Sequence, residues 1–214
     1  MSNESEIIVT QNSEMHIHRD DEASKIGMWL FLFTELLLFG GMFILYAAYR
    51  FMFSDAFSIA SIRLDRIIGS VNTIILLTSS LTVVLSITAL KRNQKKFAIF
   101  LLLFTMICGL LFLVNKYFEW SAKIQHGIYP KGPEMANLPD GEVMFYGLYY
   151  VMTGLHGLHV LVGLIFFTFI LIFVLKNKIT SENIQKFENS GLYWHLVDII
   201  WIFLFPLFYL IHAY

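Results

Sequence analysis

The chain has 214 residues, of which 57% are hydrophobic and only 14% are charged. A soluble domain carries far more charge, so this composition indicates a protein that lies mainly in a membrane. The formal net charge of −1 excludes the basic excess typical of nucleic-acid-binding proteins, and we expect no nucleic-acid partner. The single cysteine, Cys108, leaves neither a disulfide nor a cysteine metal site available.

The amino-terminal residues 1–24 are polar and acidic. They lack the basic start, the apolar centre and the small-residue cleavage site of a signal peptide. We therefore expect them to be retained as a mobile tail on the cytoplasmic side.

Five apolar stretches follow within residues 25–214. A helix needs about 20 mostly apolar residues to cross about 30 Å of hydrocarbon, and each stretch reaches that length. The sequence therefore predicts an all-α membrane protein, a bundle of five transmembrane helices. The predicted helices cover residues 26–50, 68–90, 97–120, 143–175 and 190–213.

Lysine and arginine predict the orientation, because short loops rich in them stay in the cytoplasm. With five crossings, the amino-terminal segment shares one side with the second and fourth loops. These segments hold nine lysines and arginines, against five in the first and third loops, leaving out Lys116 within a helix. The amino terminus is therefore predicted to be cytoplasmic and the carboxyl terminus periplasmic.

Glu35 is the first charged residue deep inside a predicted helix. It lies about ten residues from the start of the first helix, which places its carboxyl group near the middle of the membrane. A carboxyl group at that depth either handles protons or contacts lipid, or it is a neutral acid buried between helices. The residues alone leave both interpretations open.

Two further pairs of polar residues are each three apart and so share a helix face. Lys116 and Glu119, at the end of the third predicted helix, can pair or reach toward the membrane interface, and a structural role is favoured. His195 and Asp198 lie in the last helix. An aspartate can hold an imidazole in one tautomer, which serves a metal site, a proton relay or packing specificity equally well.

His156 and His159 have the same spacing in the stretch TGLHGLHVLVG of the fourth predicted helix. Histidines so placed can ligate a metal ion or a haem. Only His195 offers a partner within the other spans, so two fully ligated haems cannot be built from this chain. The glycines between them allow helices to approach closely, which favours histidines hydrogen-bonded between helices.

Five motifs in chain order resemble those of subunit III of haem-copper terminal oxidases, the cytochrome c oxidase and quinol oxidase complexes. The resemblance runs from Lys25 to the carboxyl end, and the chain is similar to the five-helix bacterial form. GxHGxHV followed by YWHxxDxxW is the most specific part, because it is hard to obtain by chance in apolar sequence. The motifs are KIGMWLFLFTELLLFGGMF, NTIILLTSS, KYFEW, TGLHGLHV and ENSGLYWHLVDIIWIFLFPLFYL.

The resemblance implies a non-catalytic accessory subunit in a bacterial inner membrane. In that family the haems and copper lie in partner subunits of a complex that reduces oxygen to water and pumps protons. Subunit III itself binds no redox cofactor. It packs mainly on subunit I, has subunit II and a small subunit IV as further neighbours, supports proton uptake and stability, and can hold phospholipid.

The resemblance also implies roles for single residues. Glu35 matches the family's carbodiimide-reactive glutamate, so it is expected to be related to protons or lipid. No catalytic, cofactor-binding or metal-binding residue is expected in this chain. The expected polar latches between helices are Asn72, Lys116, Glu119, His156, His159, His195 and Asp198.

Three other functions remain open on the sequence alone. A subunit III-like protein associated with nitric oxide reductase shares several of the motifs. A haem b quinol-oxidising membrane anchor would use His156 and His159 as ligands. An ion carrier centred on Glu35 would need an inverted repeat or a broken helix pair, and neither is visible in the sequence. The electron donor and the haem type of a complex are not encoded here, because those contacts lie in other subunits.

Overall fold

The computed structural model describes residues 2–130, 132–181 and 183–211, with side chains from residue 22 onward. Every regular element in these ranges is a helix. A short 3₁₀ helix, Met135–Asn137, lies between the fourth and fifth α-helices. The α-helices are α1 (Ser2–Met52), α2 (Ser54–Ile62), α3 (Arg66–Lys91), α4 (Lys95–Gln125), α5 (Asp140–Leu175) and α6 (Gln185–Tyr209).

Five of these helices are long and apolar enough to cross a membrane. They are the Glu22–Met52 part of α1 together with α3, α4, α5 and α6. This confirms the predicted all-α fold with five spans. The helices extend by one to five residues past most predicted ends, because backbone hydrogen bonding continues where the apolar composition stops. The prediction for residues 1–24 falls mainly outside the described side chains. The last helix ends at Tyr209, before the predicted end at residue 213, and residues 212–214 lie outside the described residues.

Helix α2 lies within the first connection, which the sequence analysis treated as a plain polar loop. It packs on α5 and α6. Phe57 and Ala60 are fully buried, and Asp55 stands in its first turn, where a negative charge favours the helix dipole. Its apolar residues are too few to span a membrane, so a search for long apolar stretches passes over it.

Contacts divide the chain into two compact units, Met1–Leu38 and Phe39–Tyr214. The first unit is a continuous part of α1 and carries Glu35, which lies close to the middle of the Glu22–Met52 span. The second unit contains the remainder of α1 and all later helices.

Four helices of the second unit pack as a ring. Helix α3 contacts α4 and α6, and α5 contacts the same two helices, so that α4 and α6 lie diagonally opposite each other. Aromatic side chains fill much of the interior, and many pairs meet edge to face, the preferred geometry of aromatic rings. Phe145, for example, meets Phe57 and Phe208 with ring centroids 5.4 and 5.5 Å away.

Two glycines allow the ring of helices to close around Trp194. A Cβ atom added at Gly163 on α5 would lie 2.6 Å from the Trp194 ring, and one at Gly109 on α4 would lie 2.8 Å from it. The indole is fully buried and donates from Nε1 to Ser79 Oγ on α3 at 3.0 Å. One side chain of α6 therefore contacts all three other helices of the ring.

The carboxyl end of α6 is held by side chains from earlier in the chain. The Tyr46 hydroxyl donates to the carbonyl oxygen of Leu207, and the Ser61 hydroxyl donates to the carbonyl oxygen of Ile211 at 2.5 Å. The last carbonyl groups of a helix have no partner within the helix itself. In this chain, Tyr46 of α1 supplies a donor to the helix carbonyl of Leu207, and Ser61 of α2 supplies one to Ile211, two residues past the end of α6.

We expect Gly163→Ala to destabilise the protein, because the new methyl group cannot coexist with the Trp194 ring as it lies now. Overpacking of this kind costs about 1–3 kcal/mol. The matched control is Gly147→Ala in the same helix, where an added Cβ meets nothing within 4 Å. Thermal unfolding in mild detergent should show a lowered midpoint for the first variant only. Equal midpoints would show that Trp194 can move aside.

Candidate functional site

A buried polar cluster within the membrane spans is built around an ion pair. Lys116 Nζ lies 3.1 Å from Glu119 Oε2, and the two side chains are 8% and 4% exposed. Both residues are on α4, one turn apart, so the helix itself brings them together. Isolated charges at this depth are costly, and pairing is the usual solution.

Two tyrosines complete the cluster. The hydroxyl groups of Tyr149 on α5 and Tyr209 on α6 donate to Glu119 Oε1 at 2.6 and 2.7 Å. The same hydroxyl oxygens accept hydrogen bonds from Lys116 Nζ at 3.0 and 2.9 Å. The four side chains, which we call the ion-pair cluster, therefore join α4, α5 and α6 and satisfy one another.

Aromatic rings shield the ammonium group of the ion-pair cluster. Lys116 Nζ lies 4.9 Å from the ring centroid of Tyr149 and 5.5 Å from those of Trp201 and Tyr209. A cation this close to the face of an aromatic ring is attracted by the ring quadrupole. Neither tyrosine was predicted as a site residue from the sequence. Their signal was available, since tyrosines inside a membrane helix need partners for their hydroxyl groups.

His156 is fully buried next to the ion-pair cluster. Its ring meets Phe112 edge to face at 5.3 Å and lies at 5.1 Å from the Trp201 ring. Neither ring nitrogen forms a hydrogen bond within the described part of the chain. The imidazole is therefore packed among aromatic rings and is not latched to another helix by a hydrogen bond.

His159 bonds to its own helix and also contacts α1 and α6. Its Nδ1 atom donates to the carbonyl oxygen of Leu155, one turn earlier, at 2.7 Å, and its ring meets Phe39 edge to face at 5.3 Å. The backbone carbonyl of His159 accepts a hydrogen bond from the Tyr193 hydroxyl at 2.9 Å, which connects α5 to α6.

His195 bonds across helices, but to a residue that the sequence analysis did not single out. Its Nδ1 atom lies 2.6 Å from Ser80 Oγ on α3. Asp198 is 3% exposed, and neither of its carboxyl oxygens forms a hydrogen bond within the described residues, where Ser80 is its polar neighbour. Ser80, and not Asp198, therefore holds the imidazole.

Further polar bonds connect the helices of the ring. Asn72 on α3 accepts through Oδ1 from the Asn115 amide on α4 at 2.8 Å, while its own amide nitrogen has no partner within the described residues. Thr82 and Thr105 join the same two helices with their hydroxyl oxygens 2.8 Å apart. Trp201 donates from α6 to Thr73 on α3 at 3.0 Å.

The three histidines of the spans do not converge. His156 faces aromatic rings, His159 bonds within α5, and His195 bonds to α3. In the described residues, no group of three or more His, Cys, Asp or Glu side chains is placed to hold a metal ion. The arrangement is suited to fixing helices relative to one another.

Comparison with known proteins identifies the family. The family model described as cytochrome c oxidase subunit III matches residues 7–213, almost the whole chain. The chain belongs to the subunit III family of haem-copper oxidases. It is accordingly an integral membrane protein and an accessory subunit of such an oxidase.

Curated relatives of subunit III agree with this assignment. The chain is 33% identical over 189 residues to cytochrome c oxidase subunit 3 of Alkalihalophilus pseudofirmus, covering 86% of this chain and 85% of that protein. It is 26% identical over 188 residues to a probable quinol oxidase subunit 3 of Staphylococcus saprophyticus, covering 88% and 89%. It is also 31% identical over 193 residues to heme-copper oxidase subunit I+III of Aeropyrum pernix. That match covers 87% of this chain and spans only 22% of that longer protein.

For this subunit III chain, we expect Lys116→Met to destabilise the fold strongly. Removing one partner of a buried ion pair leaves an uncompensated charge, which costs about 3–5 kcal/mol. The double variant Lys116→Met/Glu119→Gln should recover more than half of that loss, because a neutral amide can still accept from both tyrosines. The free energy of unfolding in mild detergent should be compared among the parent protein, the single variant and the double variant. A double variant no more stable than the single one would show that the charge pair is not the source of the loss.

Proposed function

We propose that this chain is the non-catalytic subunit III of a respiratory oxidase that reduces oxygen to water and pumps protons. The family match over residues 7–213 carries the proposal. Haems and copper would lie in partner subunits in a bacterial inner membrane. The role of this chain would be to stabilise the complex and to keep proton uptake fast.

The main partner in this proposal is subunit I. Support comes from the Aeropyrum pernix relative, whose name joins subunits I and III in one protein, so that the two parts are made together. Subunit II and a small subunit IV would be further neighbours. Membrane helices associate through close packing and hydrogen bonds, because lipid offers no hydrophobic drive between them.

The polar residues of the motifs would act as latches that keep the helices of this chain in one arrangement. The ion-pair cluster supports this role, since Lys116 and Glu119 bond to tyrosines on two other helices. Asn72 and His195 contribute hydrogen bonds between helices, and the backbone carbonyl of His159 accepts one from Tyr193. His156 and Asp198 would contribute through packing, because they form no hydrogen bond within the described residues.

A cytoplasmic amino terminus is part of the same proposal and rests on the unequal distribution of lysine and arginine between the loops. Glu35 would then lie in the middle of the first span, where a carboxyl group can respond to protons or lipid. We propose that it assists proton uptake by the neighbouring catalytic subunit.

Phospholipid binding is supported by a groove within the second unit, between the last part of α1 and α6. Its volume is about 590 Å³, and apolar side chains line most of it. Arg50 and Ser54 stand at the end of α1 and the start of α2 beside it, where a phosphate group could be bound. The other lining residues are Phe43, Tyr46, Ala47, Phe51, Phe203, Pro206 and Leu207.

Purification through a tag on this chain in mild detergent tests the main proposal. Haem and oxygen-reducing activity should co-purify with the tagged chain. When the partner subunits are stripped away, both should leave with them, and the isolated chain should be colourless. Haem retained on the bare chain would favour the membrane-anchor function, and His156 or His159 would then be the ligand to replace.

The proton-related role of Glu35 predicts the behaviour of Glu35→Gln. The variant should assemble with a normal haem content, while the rate of oxygen consumption coupled to proton uptake falls. Glu134→Gln, at an exposed glutamate outside the spans, is the control and should behave as the parent protein. Loss of the whole complex in Glu35→Gln would instead show that the residue is structural.

A further inference from the structure

Ser80, His195 and Asp198 place three polar side chains near the middle of two membrane-spanning helices. Each lies within about two residues of the midpoint of its helix, which is about 3 Å along the helix axis. Asp198 is buried, whereas Ser80 and His195 are partly exposed on the outer side of α3 and α6. The polar group therefore reaches the surface of the chain at the depth where the bilayer is most apolar.

The hydrogen bonding of this group is incomplete within the described residues. The bond between His195 Nδ1 and Ser80 Oγ uses one ring nitrogen, and no hydrogen bond is formed by the other, Nε2. Both oxygens of Asp198, one turn along α6, also form none. Depending on the tautomer, Nε2 offers either a donor or an acceptor at the surface.

The surroundings of His195 and Ser80 are apolar and exposed. We call this surface the α3–α6 face and define it by Leu77, Ser80, Leu81, Leu192, His195 and Ile199. Lipid tails could cover its apolar part, but they offer no hydrogen-bond partner to an imidazole. Polar groups in transmembrane helices normally face other protein or a water-filled cavity for this reason.

We propose that the α3–α6 face is the surface on which subunit I packs, with a polar side chain of a subunit I helix bonded to His195 Nε2. The inference rests on the proposed function, which supplies subunit I as the partner, and it specifies the contact surface. A side chain with both a donor and an acceptor, such as an amide or a hydroxyl group, would fit either tautomer.

Photo-crosslinking in the assembled complex tests the surface. A benzophenone amino acid replaces Ile199, which is 47% exposed and one turn from His195 on the same face. Leu161 on α5, 46% exposed and equally apolar, is the matched position on another face. We expect an adduct between position 199 and subunit I, in excess of any formed from position 161. Adducts of position 199 with lipid alone, or with a different subunit, would overturn the proposal.

Two variants separate the contact with subunit I from the internal bond. His195→Leu and Ser80→Ala both remove the bond between α3 and α6, but only the first removes the group offered to subunit I. We expect His195→Leu to reduce the subunit I retained during detergent washing by about tenfold, and Ser80→Ala to leave it nearly unchanged. If both variants lose the same amount of subunit I, His195 acts only within this chain, through its bond to Ser80. If subunit I co-purifies with the parent chain, the proposed function stands whatever the two variants show.

Discussion

The structure depends on one buried charge pair whose hydrogen bonding is completed by side chains of two other helices. Lys116 and Glu119 lie in the apolar interior, where an ionic group without partners is costly. Their remaining hydrogen-bonding capacity is met by Tyr149 and Tyr209, which come from two other helices. Because those hydroxyl groups have no equal substitute in hydrocarbon, α4, α5 and α6 are specified to meet at this depth. The aromatic core then packs around a fixed centre.

Close packing and polar bonding act at the same places. Trp194 fits against Gly109 and Gly163 and also donates to Ser79. Membrane helices gain little from apolar contact alone, so small residues that permit close approach and polar groups that bond at short range determine which surfaces associate. A pattern of glycines and histidines that resembles a metal site by spacing is here used for helix packing.

Length and hydropathy were enough to predict the five spans, since each crosses the membrane as one apolar helix. The same reasoning missed α2, which is too short to span, and it could not pair residues distant in the chain. Lys116 and Glu119 were recognisable because they share a helix turn, whereas Tyr149 and Tyr209 are 30 and 90 residues from Glu119. The partner of His195 was predicted as Asp198, because the two share a face of one helix. The bond is instead to Ser80, whose position beside His195 depends on the packing of α3 against α6.

The spacing of the buried pair has a consequence for biogenesis. Lys116 and Glu119 are one turn apart on α4, so they can neutralise each other as soon as that helix forms. Helix α4 can then leave the ribosome and enter the bilayer without waiting for α5 and α6. The tyrosine hydroxyls are synthesised later and add only neutral hydrogen bonds to a pair already compensated. We therefore expect the insertion of α4 and its assembly with α5 and α6 to be separable steps, with no lone charge exposed to lipid between them.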